Sequence, residues 1–220
     1  MSDFPVFFRL QGRLCVVVGS GAVGRRKALA VTQAGGRVRL ISPQPLEGEW
    51  PAVEHRLRPY QPGDLAGAFL AFAATGDPQT DAAVLAEARQ ERIPIDLASA
   101  PAGGDFSLPA QFRRGDLTVA VSTAGRSPAL AAAVRDQLAE AIGPEWAIMV
   151  EIAAALRRKK LTDPPEAEYN RKILSSLLAA GLLPLLVAGA TSEIDRLLTG
   201  AGGEGCTLAA LGICLPKGKT

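Results

Sequence analysis

Leu14-Cys15-Val16-Val17-Val18-Gly19-Ser20-Gly21-Ala22-Val23-Gly24 decides the fold of this 220-residue chain. An unbroken apolar run of this length predicts a buried parallel strand. It leads straight into G-x-G-x-x-G, and an alanine-rich helical stretch follows to Ala34. Gly19 permits the tight turn, Gly21 lets the backbone approach a pyrophosphate, and Gly24 lets the helix pack on the strand. The helix N-terminus then offers free N–H groups and the positive end of its dipole to phosphates. Gly19, Ser20, Gly21, Ala22, Val23 and Gly24 are therefore the expected cofactor contacts. The plain alternative is a Gly-rich strand–helix turn that binds nothing.

Working outward, strand and helix alternate through the first hundred residues. A helix from Val23 to Ala34 should stop at Gly35-Gly36, a C-cap signal. Arg37–Ile41 reads as the second strand, Val53–Arg58 as a polar third one, and Ala68–Ala73 as a buried central one. Asp77 and Pro78 read as N-cap and first helical residue of a helix running to Glu91. Ile93–Ala98 is the next strand. The alternation predicts an α/β fold, a Rossmann-like doubly wound parallel sheet whose ligands sit at the carboxyl ends of its strands. Ser42 at the end of the second strand, and Ala74 and Thr75 after the central one, join the cofactor set by position. Ile41-Ser42-Pro43 carries neither an acid for a ribose hydroxyl nor a base for a 2′-phosphate, so these residues leave NAD and NADP open.

The pattern changes after Pro101. Leu117–Ser122 reads as a strand, Thr123–Pro128 as a polar turn, and Ala129–Ile142 as a helix. Beyond Gly143-Pro144 everything reads as helix: Trp146–Lys159, Glu166–Ala180 and Leu182–Leu198, with a break at Thr162–Pro165. Residues 201–220 read as a loose Gly-rich tail. The expected organisation is a nucleotide-binding domain over 1–112, a linking segment over 113–145, a helical domain over 146–200 and the tail.

Composition narrows the function classes. The net charge of +2 gives no support to nucleic-acid or membrane-surface binding. Cys15, Cys206 and Cys214 lack zinc spacing and form no disulfide framework, which suits a reducing cytoplasm. The N-terminus shows no signal-peptide pattern, and no apolar run reaches the roughly 18 residues of a membrane span. The stretch from Leu177 to Ala190 is interrupted by Gly181 and Pro184. With His55 as the single histidine, no metal site and no serine–histidine triad is expected; His55 reads as an ordinary residue of an edge strand.

Four segments resemble one family in order. Phe4–Arg13, the GSGAVGRRKA run Gly19–Ala28, the AATGDP run Ala73–Pro78 and, most specifically, VAVSTAGRSPALA over Val119–Ala131 are similar to precorrin-2 dehydrogenases, the N-terminal module of sirohaem synthases. The resemblance covers about residues 3–145. It implies NAD-dependent oxidation of precorrin-2 to sirohydrochlorin, in some members also ferrous-ion insertion, and a cytoplasmic homodimer built through the segment after the Rossmann domain. It also implies that Thr123, Gly125, Arg126 and Ser127 contact the tetrapyrrole. That substrate carries eight carboxylates, which Arg25, Arg26, Lys27, Arg113, Arg114 and Arg126 are suited to meet. Each of these cations also has a plain reading as a solvated surface charge, Lys27 among them.

One position departs from the family pattern. Where the family reads N-V-V-D-x-P, with the aspartate as acid/base, this chain reads Asp96-Leu97-Ala98-Ser99-Ala100-Pro101. Serine is a poor base without a partner. Ser99, Asp96 and Asp105 are the catalytic candidates, the two aspartates as possible replacements for the missing carboxylate. Oxidation is expected to persist and metal insertion to be weak or absent, because insertion must remove two pyrrole protons. The alternative is a non-catalytic nucleotide-binding sensor or carrier of tetrapyrroles.

Overall fold

The computed structural model describes residues 3–46, 50, 53–159 and 166–215. The chain divides into two compact units between Leu108 and Pro109. The first contains β1 (Leu14–Val18), α1 (Ala22–Gln33), β2 (Arg37–Ser42), β3 (Val53–Leu57), β4 (Leu70–Ala73), α2 (Pro78–Glu91) and β5 (Ile95–Leu97). The strands form one parallel sheet in the order β3-β2-β1-β4-β5. Strand order reverses beside β1, between its neighbours β2 and β4. The carboxyl ends there are where doubly wound sheets bind ligands.

The alternation of side chains along β1 builds both faces of the sheet. Cys15 and Val17 join Ala28 and Val31 of α1 with Leu40 and Phe72. Val16 and Val18 join Val84 and Ala88 of α2 with Ala71 and Ile95. These four of the five β1 side chains are at most 2% exposed, and each fully buried one contributes roughly 1.5–3 kcal/mol. Burial pushes the Cys15 thiol up to about 11, so it is an inert core residue. The helix stops fall where the punctuation says. Gly35 takes φ +75° after α1, and Asp77 caps α2 by accepting from the backbone N–H groups of Gln79 and Thr80.

Lys27 does not face water. It is 6% exposed and its Nζ lies 2.5 Å from Asp96 Oδ2 and 5.6 Å from the Phe72 ring centre. The helix period turns Lys27 toward the sheet beside Ala28 and Val31. Asp96, alternating with Ile95 and Leu97, points to the same side.

The second unit contains β6 (Ala110–Arg114), β7 (Leu117–Val121), α3 (Pro128–Ala141), α4 (Glu145–Lys159), α5 (Glu166–Ala179), α6 (Leu182–Ala188), α7 (Thr191–Gly202) and α8 (Leu208–Leu211). β6 and β7 are an antiparallel pair turned at Gly115, with φ +56°. The sequence reading lacks β6, because Ala110-Gln111-Phe112-Arg113-Arg114 has no clean alternation and becomes a strand through its partner. The boundary expected at 112/113 therefore falls inside β6.

Two further expectations are corrected. The single helix expected over Leu182–Leu198 is two, because Gly189 adopts φ +66° and caps α6. The tail expected from residue 201 packs as far as it is described. Cys206, Leu208 and Ile213 are at most 7% exposed in one core with Ile152, Leu177, Leu182, Ile194 and Leu198. Glycines at 200, 202 and 203 hid this short capped segment. The break at Thr162–Pro165 and the end Lys217–Thr220 lie outside the described residues.

Among the described residues no single helix is long and apolar enough to cross a membrane. Arg171–Ala179 and Leu182–Ala188 pass together on length and composition but bend by 62°. Their apolar residues Ile173, Leu177, Leu182 and Leu186 are buried in the helical core.

Candidate functional site

The glycine turn lies at the carboxyl end of β1. An added Cβ at Gly19 would sit 2.2 Å from the Ala74 carbonyl oxygen and 2.9 Å from the Thr75 nitrogen, at a φ of +104° that disfavours side chains. One at Gly24 would sit 1.9 Å from the Gly19 oxygen. These two glycines are dictated by the protein's own packing, and they bring Ala74 and Thr75 against the turn. Gly21 differs: a Cβ there meets nothing within 4 Å. Its open space is where a ligand's phosphates would approach the backbone. Gly21 caps α1 without a side chain, and the first turn carries no acid. The free N–H groups and the dipole are thus left to an anion. The residues fit a dinucleotide.

Ser20 and Ser42 are joined by a 2.7 Å hydroxyl–hydroxyl hydrogen bond, and Ser42 Oγ also accepts from the Gln44 N–H at 3.0 Å. At 3% exposure, Ser42 anchors the ends of β1 and β2 together. Arg39 is committed elsewhere: its guanidinium reaches Glu54 and the carbonyls of Asp64 and Ala66.

At the ends of β4 and β5 the structure assembles a corner that the sequence reading lacked. Ser99 Oγ donates to Asp81 Oδ2 at 2.8 Å. Asp81 Oδ1 accepts from Thr75 Oγ1 at 2.7 Å and from the Thr75 N–H at 3.3 Å. Asp81 is 4% exposed, whereas Ser99 is exposed. The signal for Asp81 was present: it shares the buried stripe of α2 with Val84 and Ala88, and an acid on an apolar stripe needs a reason.

Asp96 and Asp105 are not part of this corner. Asp96 is held by Lys27 beneath α1. Asp105 pairs with Arg89 and accepts from the Ile95 N–H at 3.0 Å, so it binds the start of β5, the end opposite to Ser99. Alternation and chain reversal, invisible in linear spacing, send both carboxylates away.

In the second unit, the turn after β7 is built on Thr123. Its hydroxyl donates to the Ser127 carbonyl at 3.0 Å and accepts from the Ser127 N–H at 3.1 Å. Ala124 and Gly125 both take positive φ, +51° and +74°. Ser127 caps α3 by accepting from Leu130 N–H. Arg126 is exposed. Arg114 is not available as a substrate cation, because it donates to the Ile142 and Ala139 carbonyls at the end of α3. His55 is half-buried on β3, the sheet edge, and its Nε2 has no hydrogen-bond partner among the described residues. No group of three or more histidine, cysteine, aspartate or glutamate side chains among the described residues is arranged to hold a metal.

Comparison with known proteins agrees with this geometry. A family model described as NAD(P)-binding matches residues 6–110, and one described as sirohaem biosynthesis protein central matches residues 114–141. The siroheme synthase of Pseudomonas putida strain F1 is 33% identical over 204 residues, 90% of this chain and 44% of that protein. That of Pseudomonas aeruginosa PAO1 is 34% identical over 206 residues with the same coverage, and siroheme synthase 1 of Halorhodospira halophila is 28% identical over 200 residues. The chain thus spans less than half the length of these relatives. A solved structure of SirC, precorrin-2 dehydrogenase, shares the fold with a TM-score of 0.65 at 23% identity, covering 80% of this chain and 89% of that one. With both modules present in order and this identity over nine-tenths of its length, the chain is similar to the N-terminal part of siroheme synthases and shares the fold of a precorrin-2 dehydrogenase.

Proposed function

We propose that this protein is an NAD-dependent precorrin-2 dehydrogenase, producing sirohydrochlorin for sirohaem synthesis. The observation that carries the reading is the glycine turn, closed by protein at Gly19 and Gly24 and open at Gly21, in a chain with this similarity. Gly19 to Gly24 with Ala74 and Thr75 hold the cofactor, and Ser42 supports the turn from behind. NAD is preferred to NADP because Arg39, a cation within β2, is tied to Glu54 and no cation for a 2′-phosphate follows it before Leu46. When bound, the nicotinamide supplies a two-electron hydride acceptor, with the balance RH2 + NAD⁺ → R + NADH + H⁺.

Thr123, Gly125, Arg126 and Ser127 present the substrate contacts. Arg126 offers a guanidinium to a propionate or acetate, while Thr123 and Ser127 fix the turn that carries it. The reading includes a homodimer acting in the cytoplasm. Metal insertion is weak, because it must remove two pyrrole protons and position 99 presents a hydroxyl where the family has a carboxylate.

The test is anaerobic incubation of the protein with precorrin-2 and NAD⁺, following NADH and the sirohydrochlorin spectrum. Turnover supports the reading. Bound nucleotide without turnover would select the carrier or sensor instead. The same preparation given sirohydrochlorin and Co²⁺ or Fe²⁺ should insert metal slowly; a brisk enzyme-dependent rate contradicts that part.

A further inference from the structure

Asp81 is a buried carboxylate with no cation beside it among the described residues. Its partners are the hydroxyls of Thr75 and Ser99 and the Thr75 N–H. As a mere tie between the β4 and β5 loops this is a costly choice, since burying a charged carboxylate without a counter-charge is strongly unfavourable. An asparagine could make the same tie without burying a charge, its carbonyl oxygen accepting from Thr75 and its amide nitrogen donating to Ser99 Oγ. What the carboxylate adds is the ability to take a proton. Ser99, the exposed member, connects it to the open carboxyl end of β5, beside the Ala74-Thr75 loop that packs on the glycine turn.

We infer that Ser99 and Asp81 act together as the proton acceptor of this site. The inference rests on the dehydrogenase reading above. Oxidation removes one hydrogen as hydride and one as a proton. For the proton, a substrate N–H or C–H bond breaks and an O–H bond forms at Ser99 Oγ. The proton already on Ser99 passes along the 2.8 Å hydrogen bond to Asp81 Oδ2. Asp81 ends neutral and returns its proton to solvent through Ser99. Ser99 touches the substrate; Asp81 is a positioning and proton-storing residue behind it, and Thr75 orients its other oxygen.

The experiment measures kcat, KM and the pH profile of wild type, Asp81→Asn, Ser99→Ala, Ser99→Thr and the double variant Asp81→Asn/Ser99→Asp. NADH affinity by fluorescence and thermal stability are measured in parallel. Asp81→Asn and Ser99→Ala should each lower kcat by about 100-fold or more, leave KM and NADH affinity close to wild type, and remove the acidic limb of the kcat profile. Ser99→Thr keeps the hydroxyl and should keep most of the rate. The double variant, which moves the carboxylate to position 99, should recover much of it. If Asp81→Asn does not fold, Ser99→Ala carries the test, because Ser99 is exposed and outside the core. Wild-type kcat and pH profile in Ser99→Ala or in folded Asp81→Asn would overturn the inference. So would a folded, NADH-binding double variant no faster than Asp81→Asn. A wild-type protein that binds NADH but never oxidises precorrin-2 is a separate outcome, which removes the dehydrogenase reading and this inference with it.

Discussion

The glycine turn and the Ser99 corner occupy the same edge of one sheet and were built differently. The turn is contiguous: six residues, with each glycine explained by an atom within reach or by open space. The corner draws Thr75 from the end of β4, Asp81 from the first turn of α2 and Ser99 from beyond β5. A local motif is legible because its geometry is set by neighbours along the chain. A convergent site depends on how strands are ordered and which way each side chain points. In the folded chain the serine at position 99 is bonded to neither of the acids near it in sequence but to one eighteen residues earlier.

The strongest way to break the comparison is Gly19→Ala. A Cβ at positive φ, 2.2 Å from the Ala74 oxygen, should destabilise the α/β unit by about 3–5 kcal/mol and abolish NADH binding. Denaturant unfolding and fluorescence titration check this; a stable, binding variant would show that the turn tolerates what its packing forbids. Asp96→Asn comes next. It leaves Lys27 charged and 6% exposed without its partner, with an expected loss of about 3–5 kcal/mol. The protein that remains folded should keep its turnover rate. A stable variant with lost turnover would return Asp96 to the catalytic set and undo the distinction drawn between it and Asp81.

Gly21→Ala sharpens the contrast within the turn. The new methyl meets no protein atom, so stability should fall by about 1 kcal/mol or less, the ordinary cost of alanine at an N-cap. NADH affinity should fall by about 10-fold or more, because the methyl occupies the approach to the phosphates. Calorimetry and fluorescence separate the two effects, and unchanged affinity would mean that the open face is not the phosphate site.

The last effect appears only in acid and involves neither region. The Arg58 guanidinium, helped by the Gln61 N–H and Arg56, holds the Asp64 carboxyl down at about 2, against an opposing burial effect. A depressed folded-state value contributes stability above the unfolded value of about 4, and this is lost as pH falls toward 2. With the arginines about one-third exposed, the contribution is on the order of 1–2 kcal/mol. Asp64→Asn should flatten the stability of the α/β unit between pH 4 and 2 relative to wild type; an unchanged slope would exclude Asp64 as its source.

Much of the architecture was legible because its signals are local. An unbroken apolar run marked β1, Gly35-Gly36 stopped α1, and Asp77-Pro78 opened α2. Tertiary contact decided what local pattern leaves undetermined. β6 exists because β7 pairs with it. Gly189 divides what periodicity reads as one helix. The segment around Cys206 is ordered by burial in a core that reaches back to Met149, 57 positions earlier.

By itself the sequence determined a parallel α/β unit with a dinucleotide turn, a largely helical second unit and a family resemblance that runs through the first and into the second. These follow from short-range sterics, side-chain period and motif spacing. Only the tertiary structure decided the fate of the acids. It buried Lys27 against Asp96, sent Asp105 to the wrong end of β5 and placed Asp81 behind Ser99. The reason is physical: a carboxylate's role depends on the dielectric, the donors and the cations around it, and strand order and helix rotation bring those together from distant parts of the chain.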